Sequence, residues 1–231
     1  MYNIKLLKTA HIECANSVIY KNGLFEEVTK IGCHAFLLNK GDEYYLIDTG
    51  IEDIDVANKT KSSVDDWARY DDEHAIKENL DLIGVDCDKI TKVFITHAHY
   101  DHISGAKYFK NAVFYMTKTE YDMFYSEENH LKEFLAESKE FLKDKKVVTF
   151  DDELMVGDIK LKKRGGHTNG SMSVEVGDTL FVGDTIFVHD NLNKKIPAGF
   201  TVNREVSDKL LEEYLEYKGK IVTSHDFNEV I

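Results

Sequence analysis

The stretch Thr96–Ser104 reads T-H-A-H-Y-D-H-I-S and sets His97, His99, Asp101 and His102 within six consecutive positions. Ahead of it, Lys92-Val93-Phe94-Ile95-Thr96 is apolar and β-branched, the pattern of a buried strand. Behind it, Ser104-Gly105-Ala106 offers a helix start. A strand held by the core that releases a short loop before a helix is a good place to gather ligands. Residues two apart in an extended or tightly turning loop point the same way, so His97 and His99 can grip one cation. Asp101 and His102 are adjacent and diverge, so they can reach a second cation nearby. Imidazole and carboxylate suit zinc and other first-row divalent metals. Isolated histidines on a solvated loop imply nothing of the kind; four ligand-type residues in six positions do.

Working outward, a chain of 231 residues can bury a substantial core, and its 42% hydrophobic and 31% charged content is that of an ordinary globular protein. A formal net charge of -13 argues against nucleic acid or an anionic membrane surface as partner, because both need a cationic face. A small anionic substrate stays compatible, since an ion sets the local charge at a metal site. The three cysteines, Cys14, Cys33 and Cys87, form no CxxC pair and fit core packing in a reducing cytosol. No apolar run approaches the roughly 18 residues needed to span a bilayer, and Lys5, Lys8, His11 and Glu13 interrupt the first stretch. The expectation is a cytoplasmic protein acting on a small molecule; oligomeric state is not legible.

Short apolar or alternating runs predict strands at Ile4–Leu7, Asn16–Tyr20 and Cys33–Leu38, with a hairpin through Asn39-Lys40-Gly41-Asp42 to Tyr44–Ile47. Further strands are expected at Ala112–Met116, Val147–Phe150, Ile159–Leu161, Ser173–Val176, Leu180–Val182 and Lys220–Thr223. Helical spacing marks His74–Ile83 with Gly84 as its C-cap, Thr119–Leu142 in two pieces, and Arg204–Tyr217. Between Glu52 and Glu73 the pattern is lost, and the aromatic pair Trp67 and Tyr70 suggests either a covering loop or a solvated excursion. Two batches of strands, each with helices, predict two packed sheets with helices outside in a single domain over 1–231.

Further ligand types stand at later strand ends. His167 lies in Arg164-Gly165-Gly166-His167-Thr168-Asn169-Gly170, Asp184 in Gly183-Asp184-Thr185, and His225 in Ser224-His225-Asp226. Flanking glycines allow close backbone approach.

The series H-A-H-Y-D-H, G-G-H-T-N-G-S, G-D-T and S-H-D, preceded by Asp48-Thr49-Gly50, resembles the metallo-β-lactamase superfamily over most of the chain. The resemblance implies an α/β fold, the αββα sandwich of two mixed β-sheets packed face to face with helices outside. It implies that His97, His99 and His167 bind a first metal, that Asp101, His102 and His225 bind a second, and that Asp184 bridges them. Zinc is the default of this ligand set; manganese, iron and cobalt also fit. Two such ions would hold a hydroxide that is nucleophilic at neutral pH, with Asp101 orienting it. The carboxylate that flavodiiron members usually carry at the position of His99 is missing, which disfavours iron electron transfer.

Within the superfamily the layout is similar to the N-acyl homoserine lactonase group, through Lys118-Thr119-Glu120-Tyr121 and Ile196-Pro197-Ala198-Gly199-Phe200. Tyr100, Phe187, His189 and Trp67 are candidates to line the substrate. One departure matters: that group usually has a tyrosine three residues after the bridging aspartate, where this chain has Phe187. Losing such a donor can cost about 2.7–4 kcal/mol of transition-state stabilisation, so Tyr100, His189 or Asn191 would have to substitute, or the substrate differs. The expected reaction is hydrolysis of a lactone or activated acyl ester. Alternatives are a thioesterase of the glyoxalase II type, for which Lys194 and Lys195 are the one basic cluster, a phosphodiesterase, or a non-catalytic metal-binding sensor.

Overall fold

The computed structural model describes residues 1–60, 68–69, 73–229 and 231. Strands β1 (Asn3–Ala15), β2 (Val28–Lys40), β3 (Glu43–Ile47), β4 (Ala68–Arg69), β5 (Ile90–Phe94), β6 (Val113–Thr117) and β7 (Val147–Phe150) form one sheet in the order β4-β1-β2-β3-β5-β6-β7. Strands β8 (Glu153–Val156), β9 (Ile159–Lys163), β10 (Met172–Val176), β11 (Thr179–Phe181) and β12 (Lys220–Val222) form a second in the order β12-β11-β10-β9-β8. Both sheets are mixed. β1 to β3 run antiparallel and β3, β5, β6 and β7 parallel, whereas in the second sheet β11 and β12 alone pair in parallel. The helices are α1 (Asn16–Ile19), α2 (Ile54–Thr60), α3 (Ile76–Leu82), α4 (Tyr100–Ile103), α5 (Lys118–Tyr125), α6 (Ala136–Lys143), α7 (His189–Lys194) and α8 (Arg204–Glu216).

Period-2 alternation divides the core into layers. On β2, Phe36 and Leu38 enter the core between the sheets while Ala35 and Leu37 face the helices outside the first sheet. β3 and β5 do the same, with Tyr45, Ile47 and Phe94 inward and Leu46 and Val93 outward. The second sheet answers with Ile159, Leu161, Met172, Val174 and Phe181. Its other face, through Leu180 and Val182, packs on Leu210, Leu211 and Tyr214 of α8. Helix, sheet, sheet and helix layers follow from this two-sided burial.

Several local expectations change. Asn16–Tyr20, read as a strand, is the short helix α1, because β1 ends only at Ala15 and the chain must turn back into β2 there. β1 far outruns Ile4–Leu7: a register shift between Lys8 and Ala10 and burial of both faces beyond it destroy the alternation that would have revealed the strand. β8 and α7 had no counterpart in the sequence reading, and α4 already begins inside the metal motif at Tyr100, ahead of the expected start at Ser104, where a 3-10 turn does begin. The region read as patternless begins with a helix, α2. Gly84 does follow α3 at φ 71°, and Thr119–Leu142 does divide, into α5 and α6. Cys14 and Cys33 are buried, Cys87 is half-buried, and all three are free thiols. Phe124 is core. No helix among the described residues is long and apolar enough to cross a membrane.

The inter-sheet contact sets the distance between the two halves. Phe36 is fully buried and its ring lies 4.9 Å from that of Phe181 on the opposite sheet. Phe36→Ala is expected to lower the unfolding free energy by about 3–5 kcal/mol in denaturant titration, through lost burial and the cavity left behind.

Candidate metal centre

The parallel strands β3 and β5 end side by side, and their exits build the base of the site. Asp48 follows β3 with φ 57°, a left-handed conformation that a non-glycine residue holds only when its surroundings fix it. Its carboxylate does the fixing. It accepts from the Thr96 N–H and Oγ–H, both at 2.7 Å, and from His102 Nδ1 at 2.8 Å. Asp48 therefore clamps both ends of the ligand loop. Between them, His99 lies on extended backbone and α4 starts at Tyr100, so Asp101 and His102 sit on a helical turn.

From the second sheet come His167, between β9 and β10, Asp184, after β11, and His225, after β12. Main-chain bonds lock the two sheets at this edge: Met172 N–H to Thr96 O at 2.9 Å and Gly32 N–H to His225 O at 2.9 Å. The result is two groups of side chains able to hold a metal ion, His97–His99–His167 and Asp101–His102–Asp184–His225. In the first, the facing nitrogens form a triangle with sides of 3.0, 3.1 and 3.0 Å. Nitrogens 2.0–2.1 Å from a tetrahedral zinc would stand about 3.3 Å apart, close to this spacing. In the second, Asp101 Oδ2 lies 3.5 Å from both His102 Nε2 and His225 Nε2.

Asp184 faces both groups. Its Oδ1 is 3.2 Å from His102 Nε2 and 3.0 Å from His225 Nε2. Its Oδ2 is 3.1 Å from His225 Nε2, 3.5 Å from His167 Nε2 and 3.7 Å from His97 Nε2. His102 Nε2 and Asp184 Oδ1 are nevertheless buried without a hydrogen-bond partner, because their close approaches lack donor–acceptor alignment. Buried polar atoms left in that state are costly, and a shared cation would satisfy them.

The outward ring nitrogens are engaged, which leaves the inward ones bare. His97 Nδ1 meets Thr96 Oγ at 3.3 Å, an oxygen whose own proton goes to Asp48. His167 Nδ1 donates to Phe200 O at 3.3 Å, and His225 Nδ1 to Gly32 O at 2.6 Å. Such outer partners fix the tautomer a metal ligand needs. Electrostatics divide the groups in the same way. Burial holds His97 well below the usual histidine pKa and His167 down to about 4, so both stand neutral with lone pairs available. At His102 burial pulls the same way, but the carboxylates of Asp184, Asp101 and Asp48 outweigh it and raise the pKa well above normal. Burial would raise Asp184, yet His225, His102, His97 and His167 hold it well below the carboxylate range. The second group thus demands positive charge. The donor set and its charge balance fit divalent metal.

The remaining candidates are placed differently. Phe187 is buried at the centre, stacked on His225 at 5.5 Å and edge-on to His167 at 5.5 Å. Tyr100 packs into the outer core, its hydroxyl donating to Asp53 O at 3.3 Å. His189 starts α7 with its ring held by Glu229 at 3.0 Å and its N–H by Asp226 at 2.9 Å. Asn191 spends its amide on Ile19 O and Ile196 O and its carbonyl on the Val188 N–H. Neither His189 nor Asn191 is presented to the ligand groups by these bonds. Trp67 and the bulk of the loop around it lie outside the described residues.

Glu120, quoted above only as part of the Lys118-Thr119-Glu120-Tyr121 resemblance, has a role the sequence did not show. Though on α5, it is buried, accepting from Ala98 N–H at 2.9 Å and from Thr168 Oγ–H at 2.6 Å. One carboxylate thus ties the His97–His99 loop to the His167 loop. Gly170 permits this, since a Cβ there would collide with Glu120. A lone glutamate in a charged helix gives no signal of it; its one pointer was the capping position three residues after Thr117, whose side chain accepts from Glu120 N–H.

A family model of the metallo-beta-lactamase superfamily matches residues 28–225. The probable metallo-hydrolase of Methanocaldococcus jannaschii is 29% identical over 161 residues, 70% of this chain and 69% of that protein. The N-acyl homoserine lactonase AiiA of Bacillus thuringiensis subsp. kurstaki is 25% identical over 207 residues, 84% of this chain and 81% of its own. Among solved structures, a B. thuringiensis AiiA variant with N-decanoyl-L-homoserine bound at its active site aligns with a TM-score of 0.79 at 20% identity, over 96% of this chain and 92% of that one. At that identity the structural likeness speaks for the fold.

Glu120→Ala would leave the Ala98 and Thr168 donors unanswered and uncouple the two histidine loops. It is expected to weaken metal binding at the His97–His99–His167 group by about 10–100-fold in chelator competition, with Glu120→Gln in between.

Proposed function

This chain belongs to the metallo-beta-lactamase superfamily, and we propose that it is a dinuclear metal-dependent hydrolase of lactones or activated acyl esters. The observation that carries the reading is the placement of Asp184, whose carboxylate lies between the two histidine groups, Oδ1 beside His102 and His225 and Oδ2 near His225, His167 and His97. His97, His99 and His167 would hold one ion, Asp101, His102 and His225 the other, with Asp184 shared and zinc the expected metal. When bound, divalent ions supply Lewis-acid polarisation of a carbonyl and bring the pKa of water near neutrality.

The chain's own groups then divide the work. Asp101 is the most exposed of the four residues in its group, and its carboxylate is held down to about 2, against the pull of burial, by His102 and His225. In this reading it stays ionised and would orient a proton of the attacking water. Asp184 would offset the charge of bound ions. Phe187 covers both groups with an apolar face and excludes water, but it cannot donate to the substrate's carbonyl or leaving oxygen. Asn191 is fully committed elsewhere, so it does not replace that donor. This supports lactones or esters with good leaving groups over substrates that need strong leaving-group assistance.

A glutathione thioester is the less favoured substrate, because Lys194 is paired with Asp190 at 2.7 Å and assembles no basic anchor with Lys195. The net charge of -13 and the free thiols support a cytoplasmic enzyme acting on small molecules rather than nucleic acid.

Zinc-loaded protein is expected to hydrolyse lactones in a panel of acyl homoserine lactones, simple γ-lactones, S-lactoylglutathione and bis-p-nitrophenyl phosphate. Asp184→Ala should abolish turnover and lower metal content at both groups. Turnover of another class alone, or an Asp184→Ala protein with unchanged metal and rate, would refute the reading.

A further inference from the structure

His225 hangs from a short edge strand. β12 has three residues and stands at the end of its sheet with β11 as its neighbour, so the loop it releases takes no register from a strand on its other side. On one flank the first sheet holds that loop. Gly32 bonds the main chain and the ring of His225, and His34 Nε2 donates to Asp226 O at 2.9 Å. The other flank is held by a buried carboxylate that the ligand set does not use.

That carboxylate is Glu229. Its Oε2 accepts from Thr223 N–H at 2.9 Å, from Thr223 Oγ–H at 3.0 Å and from His189 Nε2–H at 3.0 Å. Thr223 precedes His225 and Glu229 follows it, so one oxygen closes the loop that carries the ligand. Inside the loop, Asp226 N–H donates to Thr223 Oγ at 3.3 Å and Glu229 N–H to Asp226 O at 3.0 Å. His189 belongs to the segment that follows Asp184. Its ring reaches Glu229 and its own N–H donates to Asp226 Oδ2 at 2.9 Å, so the exits of β11 and β12 are cross-linked twice. Asp184 Oδ1 and His225 Nε2 stand 3.0 Å apart, a spacing set by the relative placement of these two exits.

Three donors on one oxygen favour a charged acceptor. Burial opposes charge on Glu229, yet the bonds from His189 and Thr223 hold its carboxyl below the ordinary range. The bond to Glu229 likewise raises the pKa of His189 against burial. Glu229 is covered and His189 is partly exposed. Removing either partner leaves a buried charge or its donors uncompensated, which loosens the loop.

We propose that Glu229 is a positioning residue for the second ligand group: with His189 it fixes the loop of His225 against the segment of Asp184, and so sets the affinity of that group for a divalent ion. The inference rests on the dinuclear reading above, but its test does not depend on turnover.

Chelator competition for zinc on the full chain tests it in two backgrounds. His99→Ala/His167→Ala disables the first ligand group and Asp101→Ala/His102→Ala the second. Glu229→Gln keeps the shape of the side chain and removes its charge. Zinc binding should weaken about 10–100-fold where the second group is the one left, and stay unchanged where the first is. His189→Leu should act in the same direction, and His189→Lys, which keeps a charged donor, should restore the affinity. Leu211→Ala, in the core between α8 and the second sheet, is the control for lost stability. It should lower the unfolding midpoint without separating the two backgrounds. Equal loss in both backgrounds, no loss in either, a loss that Leu211→Ala reproduces, or a His189→Lys protein no better than His189→Leu would each overturn the proposal. If Glu229→Gln does not fold, the two His189 variants carry the same comparison. The predicted zinc loss in a protein that turns over no lactone or ester would reject the hydrolase reading and keep the positioning role; zinc-dependent turnover with an affinity indifferent to Glu229 would do the reverse.

Discussion

Asp184 is a carboxylate buried among His97, His102, His167 and His225, and it spans the two ligand groups. A buried charge with a half-satisfied surrounding is among the most expensive features a fold can carry. Everything near it works to keep it ionised: the histidines lower its pKa, Asp48 orients His102 from behind, and backbone carbonyls and the Thr96 hydroxyl turn the other rings. Protein groups still leave Asp184 Oδ1 and His102 Nε2 without hydrogen bonds. The arrangement is complementary to cations rather than to itself.

The fold answers this constraint by bringing strand ends from both sheets to one edge. Parallel pairing of β3 with β5 sets Asp48 beside the ligand loop, and parallel pairing of β11 with β12 sets Asp184 beside His225. The inter-sheet core, with Phe36 against Phe181 and Phe94 beside them, holds the two edges in register. The cross-sheet bonds Met172 N–H to Thr96 O and Gly32 N–H to His225 O finish the seam where the ligands emerge. Glu120 adds a third tie, joining loops that belong to different sheets.

Residues whose chemistry is concentrated were legible in the sequence. His97 to His102 stand in one short loop, and His167, Asp184 and His225 each close an apolar run beside a glycine or serine, so strand periodicity alone marks them. The layered architecture was legible because β2, β3 and β5 read as apolar runs, as strands buried on both faces do. In β1 polar Thr9, His11 and Glu13 interrupt such a run, which hid its length, and the apolar Val18-Ile19-Tyr20 made α1 read as a strand. Glu120 was invisible because its role depends on a loop 48 residues away that sequence spacing cannot place beside it. His189 and Asn191 suggested themselves by closeness to Asp184 in the chain, yet the start of α7 turns them to Glu229 and to the Ile19 carbonyl. Phe187 was conspicuous as a missing hydroxyl, and its position between His167 and His225 gives that absence a place in the site.

The central claim is that one carboxylate is shared by two ions. Anomalous diffraction at the zinc edge, from crystals grown with zinc, tests it directly. Two peaks about 3.5–4 Å apart are expected, one against His97, His99 and His167, the other against Asp101, His102 and His225, with Asp184 reaching both. A single peak, or a second ion that Asp184 does not touch, would contradict it.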